Sequence, residues 1–201
     1  IQDGLVHEGL SREQARRQMF VMDASGLVVE GVSAQPYQVP VSQFAATYAA
    51  WDIAGETPSL LEVIEQARPT ILLGLTGVSG LFNEPIVRRM QQNAERPIIF
   101  PLSNPTANCE AIPQDLIAWT EGRAIVATGS PFDDVVHEGE RYSIGQGNNA
   151  FVFPGIGFAA ILGRCRRISD AMIIESAFAL ADYTEHHTPS RDRIFPPISD
   201  L

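Results

Sequence analysis

The sequence predicts an α/β domain with a mainly parallel sheet and helices on both faces. Three observations carry this. Short apolar runs at residues 70–75 (TILLGL), 97–102 (PIIFPL) and 124–128 (AIVAT) read as buried strands. Helical patterns at 84–93 and 113–121 separate them, the alternation of a parallel sheet. The composition is that of an ordinary globular domain, 45% hydrophobic and 19% charged over 201 residues.

The elements follow in order. Gly9 breaks an opening helix, and Ser11-Arg12-Glu13-Gln14 is a capping box for a short continuation. Residues 19–22 (MFVM) predict a buried strand ending at Asp23, and Asp23-Ala24-Ser25-Gly26 a turn. The stretch to about residue 45, with Pro36 and Pro40, reads as irregular, and 43–51 as a short helix. Ser59-Leu60-Leu61-Glu62 is a second capping box and starts a helix to about Ala67. The helix over 84–93 carries Pro85 near its first turn, where proline is tolerated. Pro101 is unusual inside a strand. Residues 135–143 predict a hairpin or loop excursion, and 157–164 and 169–183 helices, the second capped by Ser169. The tail from residue 186 to 201 is polar and proline-bearing, without periodicity.

Composition also excludes. A net charge of −10 argues against a non-specific nucleic-acid binder, and no stretch approaches the length of a membrane span. The N-terminus has neither the basic nor the apolar region of a signal peptide. Cys109 and Cys165 form no disulfide framework and no metal spacing, so free thiols in the cytoplasm are the expectation. All fourteen basic residues are arginine, so no lysine base or Schiff-base lysine comes from this chain. The first residues read as the end of a helix already under way, so the chain is expected to be part of a longer protein.

In parallel sheets, ligands bind beyond the carboxyl ends of the strands. Those ends are Asp23, Gly74-Leu75-Thr76-Gly77, Ser103-Asn104-Pro105 and Gly129-Ser130-Pro131, all expected on one edge. Asp23 is either an acid that binds the adenosine ribose hydroxyls of a dinucleotide or a turn-capping aspartate. No basic residue occurs from 19 to 67, so nothing there would pair with a 2′-phosphate, and NAD fits better than NADP. The glycine-rich segment 74–80 (GLTGVSG) permits close backbone approach to a ligand. Gly145-Gln146-Gly147-Asn148-Asn149-Ala150 matches the G-x-G-x-x-G/A pattern. It is rejected as a pyrophosphate loop, because no convincing strand precedes it and Pro154 interrupts the segment after it. Its asparagines, like Asn104, remain candidates for substrate contact, since a neutral amide donates and accepts without titrating. His7, His137, His186 and His187 show no ligand spacing, and Asp133, Asp134, Glu138 and Glu140 read as solvated.

The ordered series of Asp23-Ala24-Ser25-Gly26, 74–82 (GLTGVSGLF), 96–106 (RPIIFPLSNPT), 119–132 (WTEGRAIVATGSPF) and 145–157 (GQGNNAFVFPGIG) resembles the NAD-binding domain of malic enzymes. The likeness runs from about residue 9 to 197, and malolactic enzymes share it. It implies a Rossmann-like fold whose first strand and glycine fingerprint lie upstream of this chain, making residues 1–201 a partial NAD(P)-binding domain. It implies oxidation of L-malate to pyruvate and CO2 with reduction of NAD. The catalytic tyrosine and lysine, and the carboxylate ligands of a Mg or Mn ion, would lie in a missing N-terminal domain. No catalytic residue and no metal ligand is therefore assigned to this chain. By the same resemblance Asn104, Asn148 and Asn149 contact malate, Asn104 and Asn149 also the nicotinamide end, Asp23 the adenosine ribose, and the backbone of Leu75, Thr76 and Gly77 the cofactor. The expected partners are malate and pyruvate, the N-terminal domain and further copies of the parent subunit, their number open. The isolated chain is expected to be inactive. The continuation usual after a segment like Pro196-Pro197 suggests a second truncation at Leu201. Malolactic enzyme and a non-catalytic nucleotide-binding module stay open as alternatives.

Overall fold

The computed structural model describes residues 1–187 and 194–196. Two compact units divide the chain, Ile1–Pro69 and Thr70–Leu201.

The first unit opens with α1 (Gln2–His7) and α2 (Arg12–Arg17). Gly9 separates them at φ +102°, a conformation that suits glycine. The capping box of α2 forms as predicted: Gln14 N donates to Ser11 Oγ at 3.1 Å, and Ser11 N to Gln14 Oε1 at 2.8 Å. The strand expected over 19–22 is not a member of a parallel sheet. Instead β1 (Met22–Asp23) pairs antiparallel with β2 (Gly26–Leu27) as a minimal hairpin. Asp23 Oδ1 accepts from Ser25 N and Oγ at 2.8 and 2.6 Å and makes the turn, and beyond Met22 the chain keeps one further bond, Val28 N to Val21 O at 2.9 Å. The apolar run is satisfied by packing instead. Phe20 and Met22 lie against the buried Leu27, Val29 and Val63, with Tyr48, Trp51 and Ala67 around them.

Residues 28–44 are irregular, apart from a 3-10 turn at Val39–Val41 and an isolated parallel bridge between Val29 and Gln43. The fully buried Gln43 fastens them, its Nε2 donating to the carbonyls of Arg16 and Met19 at 2.8 and 2.6 Å. α3 (Ala45–Tyr48) is shorter than its predicted range. α4 (Leu60–Ala67) starts at its predicted box, with Ser59 N donating to Glu62 Oε2 at 2.7 Å, and ends with Arg68 at φ +51°.

The second unit holds a four-stranded parallel sheet. Its strands are β3 (Ile71–Gly74), β4 (Ile98–Pro101), β5 (Ile125–Thr128) and β8 (Gly145–Gln146), adjacent in that order. α5 (Glu84–Asn93) connects β3 to β4, and α6 (Pro113–Trp119) connects β4 to β5. Both helices have proline in the first turn, and Asn83 caps α5 through Ile86 N. They bury Ile86, Val87, Met90, Leu116 and Ile117. Pro101 is tolerated because it ends its strand. Its carbonyl accepts from Gly129 on the β5 side, where proline has no N–H to return, and the β4–β5 register stops at Ile99–Val126. The excursion between β5 and β8 is the predicted hairpin, β6 (Val135–His137) with β7 (Glu140–Tyr142). Asp134 is not simply solvated, for it accepts from Arg141 Nε at 2.9 Å and Ser143 Oγ at 3.2 Å and ties the hairpin to its base.

β8 was not predicted. It pairs parallel with β5 over only Ala127–Gly145 and Thr128–Gln146, too short and too poor in apolar residues to read as a strand. α7 (Phe153–Leu162) begins at Phe153 rather than at 157, because Pro154 occupies its first turn instead of breaking it. α8 (Asp170–His187) runs beyond 183, so His186 and His187 belong to its last turn. Of the remaining tail only 194–196 lie within the described residues. α7 is apolar on every side, yet none of its residues is buried. Among the described residues, no helix is long and apolar enough to cross a membrane.

Candidate functional site

The carboxyl ends of β3, β4 and β5 lie side by side, so three of the four predicted strand ends share one edge. Asp23 belongs to the hairpin of the first unit.

At the end of β4, Asn104 is exposed, and its Oδ1 accepts from Ser130 Oγ at 2.5 Å. Ser130 follows β5, so the two strand ends hold the amide between them. Its Nδ2 donates to no described residue. Gly129 makes this approach possible, since a Cβ there would collide with the Leu102 carbonyl and lie 3.1 Å from Asn104 Nδ2. The peptide bond Asn104–Pro105 is cis.

The second asparagine loop converges on the same dipeptide. Gln146 Nε2 donates to Gly129 O at 3.1 Å, and Gly147 N to Thr128 O at 2.8 Å. A Cβ at Gly147 would lie 3.0 Å from Leu102 Cδ2, another close approach. Asn148 is half-buried and has a local task, its Oδ1 accepting from Ala150 N at 2.9 Å to cap the 3-10 turn Asn149–Phe151. Asn149 is exposed beside it. The short strand β8 occupies the first two residues of this segment rather than leading into it, and α7 follows with Pro154 in its first turn, so the segment is interrupted less than the sequence suggests. The N–H groups of Gly147 and Ala150 are already bonded inside the protein, however, which leaves the loop poor in donors for a phosphate.

The turn after β3 is likewise bound internally. Thr76 N and Oγ1 both donate to Glu110 Oε1 at 2.8 Å, and Gly77 N donates to Ser103 Oγ at 2.8 Å. The turn therefore presents outward the exposed Leu75 side chain and the open face of Gly77, where nothing lies within 4 Å of a Cβ position. Asp23 is exposed, with its second oxygen 3.4 Å from Gln38 Nε2. The Ser25 hydroxyl, and then its amide, hold the Asp23 carboxyl below its ordinary range, so it stays an anionic acceptor. The donors on it are all neutral.

Glu110 escaped the sequence reading, while Ser130 and Gln146 were placed in the strand end and the second loop without a contact being assigned to either. Glu110 is wholly buried in the connection between β4 and α6. Burial pushes its carboxyl up, but the donors from Ser103 and Thr76 outweigh that and hold it below the ordinary range. Its one signal in the sequence is a lone acid inside the apolar run Cys109-Glu110-Ala111-Ile112. A cavity of about 350 Å³ lies elsewhere, between α7 and α8, lined by Phe151, Val152, Ile156, Leu180 and Tyr183 among others. None of the candidate residues lines it, so it is not taken as the ligand site. Both cysteines are free thiols, Cys109 buried and Cys165 exposed. Among the described residues, no group of three or more His, Cys, Asp or Glu side chains is placed to hold a metal ion.

The family described as malic enzyme, NAD binding domain, matches residues 1–201. The NAD-dependent malic enzyme of Shewanella sp. (strain ANA-3) is 44% identical over 198 residues, 98% of this chain and 35% of the relative. That of Shewanella frigidimarina is 43% identical and that of Vibrio parahaemolyticus 42%, with the same coverage. The chain thus spans about a third of the length of the curated relatives it matches, 35% in each of these. With a parallel α/β sheet and a match over its whole length, the chain belongs to the malic enzyme NAD-binding domain family.

Proposed function

We propose that this chain is the cofactor-binding part of an NAD-preferring malic enzyme, which oxidises L-malate to pyruvate and CO2. The observation that carries the reading is the convergence of both asparagine loops on Gly129–Ser130 at the carboxyl edge of the sheet. There Asn104 and Asn149 can orient a carboxylate or a carboxamide without adding a titration, and Asn148 holds the shape of the second loop. NAD fits the residues of each unit taken by itself: in the second an open turn at Leu75–Gly77, and in the first an exposed anionic Asp23 whose carboxylate can accept from a ribose hydroxyl. When bound, NAD supplies the acceptor for the hydride of malate C2. The chain's own residues bind and orient, and proton transfers fall to groups elsewhere in the parent enzyme. A Mg or Mn ion belongs to the same reading, but the described residues do not form its site, and no step is derived through it. The uncovered apolar surface of α7 and α8 is assigned to the remainder of the parent polypeptide, consistent with relatives far longer than this chain. A cytoplasmic homo-oligomer completes the reading.

The test is malate-dependent NADH formation by the full-length enzyme with manganese, with the product identified. Pyruvate with NADH supports the reading, whereas lactate without net NADH moves the chain to malolactic enzyme. The 201-residue chain assayed alone is expected to be inert. In the full-length enzyme, Asn104→Ala and Asn149→Ala should each lower kcat/KM for malate by roughly ten- to a thousand-fold, with the melting temperature nearly unchanged. Loss of stability with activity kept would make these asparagines structural.

A further inference from the structure

We infer that Glu110 is a positioning residue that sets the spacing of the β3 turn and the Asn104 loop, and through them the binding of malate and the nicotinamide. The inference rests on the proposed function for the identity of the ligands, and on geometry alone for the clasp.

Glu110 is wholly buried and has no cation among its partners. Burying a carboxylate is costly, and here the cost is offset only by converging neutral donors. Oε1 accepts from Thr76 N and Thr76 Oγ1 at 2.8 Å each and from Ser103 Oγ at 2.5 Å, while Oε2 faces Ser103 N at 3.3 Å. The Glu110 carbonyl also accepts from Phe82 N at 3.0 Å, at the far end of the same turn. One residue thus holds both ends of the loop after β3 and the start of the loop after β4. Ser103 Oγ completes the clasp by accepting from Gly77 N at 2.8 Å, so the hydroxyl that serves Glu110 also fixes the glycine facing the ligand edge. The strand is shaped for this side chain: a Cβ at Gly74 would lie 2.5 Å from Glu110 Cδ. Asn104 directly follows Ser103 and is held from its other side by Ser130. Its amide is therefore located by two anchors, one at β5 and one at the buried carboxylate. Neither Glu110 nor Ser103 is assigned a ligand contact, so the clasp acts on malate through Asn104 and on the cofactor through the Thr76–Gly77 backbone.

A glutamine at this position keeps the size and one acceptor but turns a donor toward Ser103 N, loosening the clasp without a cavity. Ser103→Ala keeps the carboxylate and removes the bridging hydroxyl. In the full-length enzyme, assayed where circular dichroism shows each variant folded, Glu110→Gln and Ser103→Ala should each raise KM for malate. Each should lower kcat/KM on the order of ten- to a hundred-fold, the effect of a displacement near 1 Å. In an Asn104→Ala background the same substitutions should change KM for malate by less than about twofold, because residues acting on malate through Asn104 are not additive with its loss. Amide exchange at Thr76 and Gly77 should quicken at least about tenfold in both variants, as protection by the clasp is lost. An unchanged KM, or a full multiplicative loss on top of Asn104→Ala, would overturn the positioning role. Unchanged exchange would overturn the clasp itself. If the wild-type enzyme forms no NADH from malate, the functional reading fails, and exchange at Thr76 and Gly77 still decides the clasp.

Discussion

A buried carboxylate held only by neutral donors leaves its mark on the pH dependence of stability. Burial raises the Glu110 pKa, and the hydrogen bonds from Ser103 and Thr76 lower it by more, so the folded value lies below the ordinary 4.5. A group with a depressed folded pKa stabilises the fold above its unfolded pKa and loses that contribution as pH falls through the folded one. Glu110→Gln should therefore be less stable than wild type at pH 7, by about 2 kcal/mol for a hydrogen-bonded charged group. The gap should close as pH drops below 4.5 and the wild-type carboxyl is protonated. Thermal melts of both proteins from pH 7 to pH 3 measure it, and a gap that widens in acid would contradict the assignment. Asp23 shows how far a single residue could be read beforehand. The sequence offers both a ribose-binding acid and a turn cap, and the structure finds it capping its own turn through one oxygen, with Gln38 at 3.4 Å from the other.

Among the elements, those with a local chemical signal form where the sequence puts them. The Ser11 and Ser59 boxes start α2 and α4, and Pro85 sits in the first turn of α5, which Asn83, not singled out in the sequence, caps. For the two boxes the signal is a hydrogen bond between residues three apart, for α5 a proline whose fixed φ suits the first turn, and neither needs a tertiary partner. Glu62 accepts from Ser59 N and from Ala54 N, both at 2.7 Å, joining the box to the preceding loop. Ser59→Ala should cost about 1 kcal/mol, seen as a lower melting temperature with unchanged kinetics. No loss would mean that α4 is fixed by the packing of Val63 alone. The misread elements are those that depend on distant neighbours. β8 is a strand only because β5 lies beside it, and residues 19–21 are not one because only Val21, through Val28 N, is bonded across the hairpin. α7 starts early because Pro154 sits where its missing N–H has no helical partner to lose.

For the molecule as a whole, the charge distribution bears on cofactor choice. From residue 19 to 67 there is no basic side chain, and the donors on Asp23 are Ser25 and Gln38. The nearest preceding arginine is Arg17, paired with Glu13. Arg16 is spent on Ser42, on Glu30 at 2.6 Å, and on the Phe44 ring. Neither is set to receive a 2′-phosphate, which would be repelled by Asp23. The full-length enzyme should therefore favour NAD over NADP in kcat/KM by at least about tenfold, roughly 1.4 kcal/mol. Equal or inverted values in parallel assays would refute this use of Asp23.

What the sequence determined by itself is what local chemistry can specify: the alternation of strands and helices, the capping boxes, the hairpin at 135–143 and the strand ends where Asn104 and Gly77 lie. What only the tertiary structure decided is which loops meet. Ser130 reaching Asn104, Gln146 reaching Gly129 and Glu110 closing on Thr76 and Ser103 join residues 26, 17, 34 and 7 positions apart, through strands that become neighbours only in the sheet. A hydrogen bond between residues far apart in the chain leaves no periodicity to read, and a buried acid differs from a solvated one only in its surroundings.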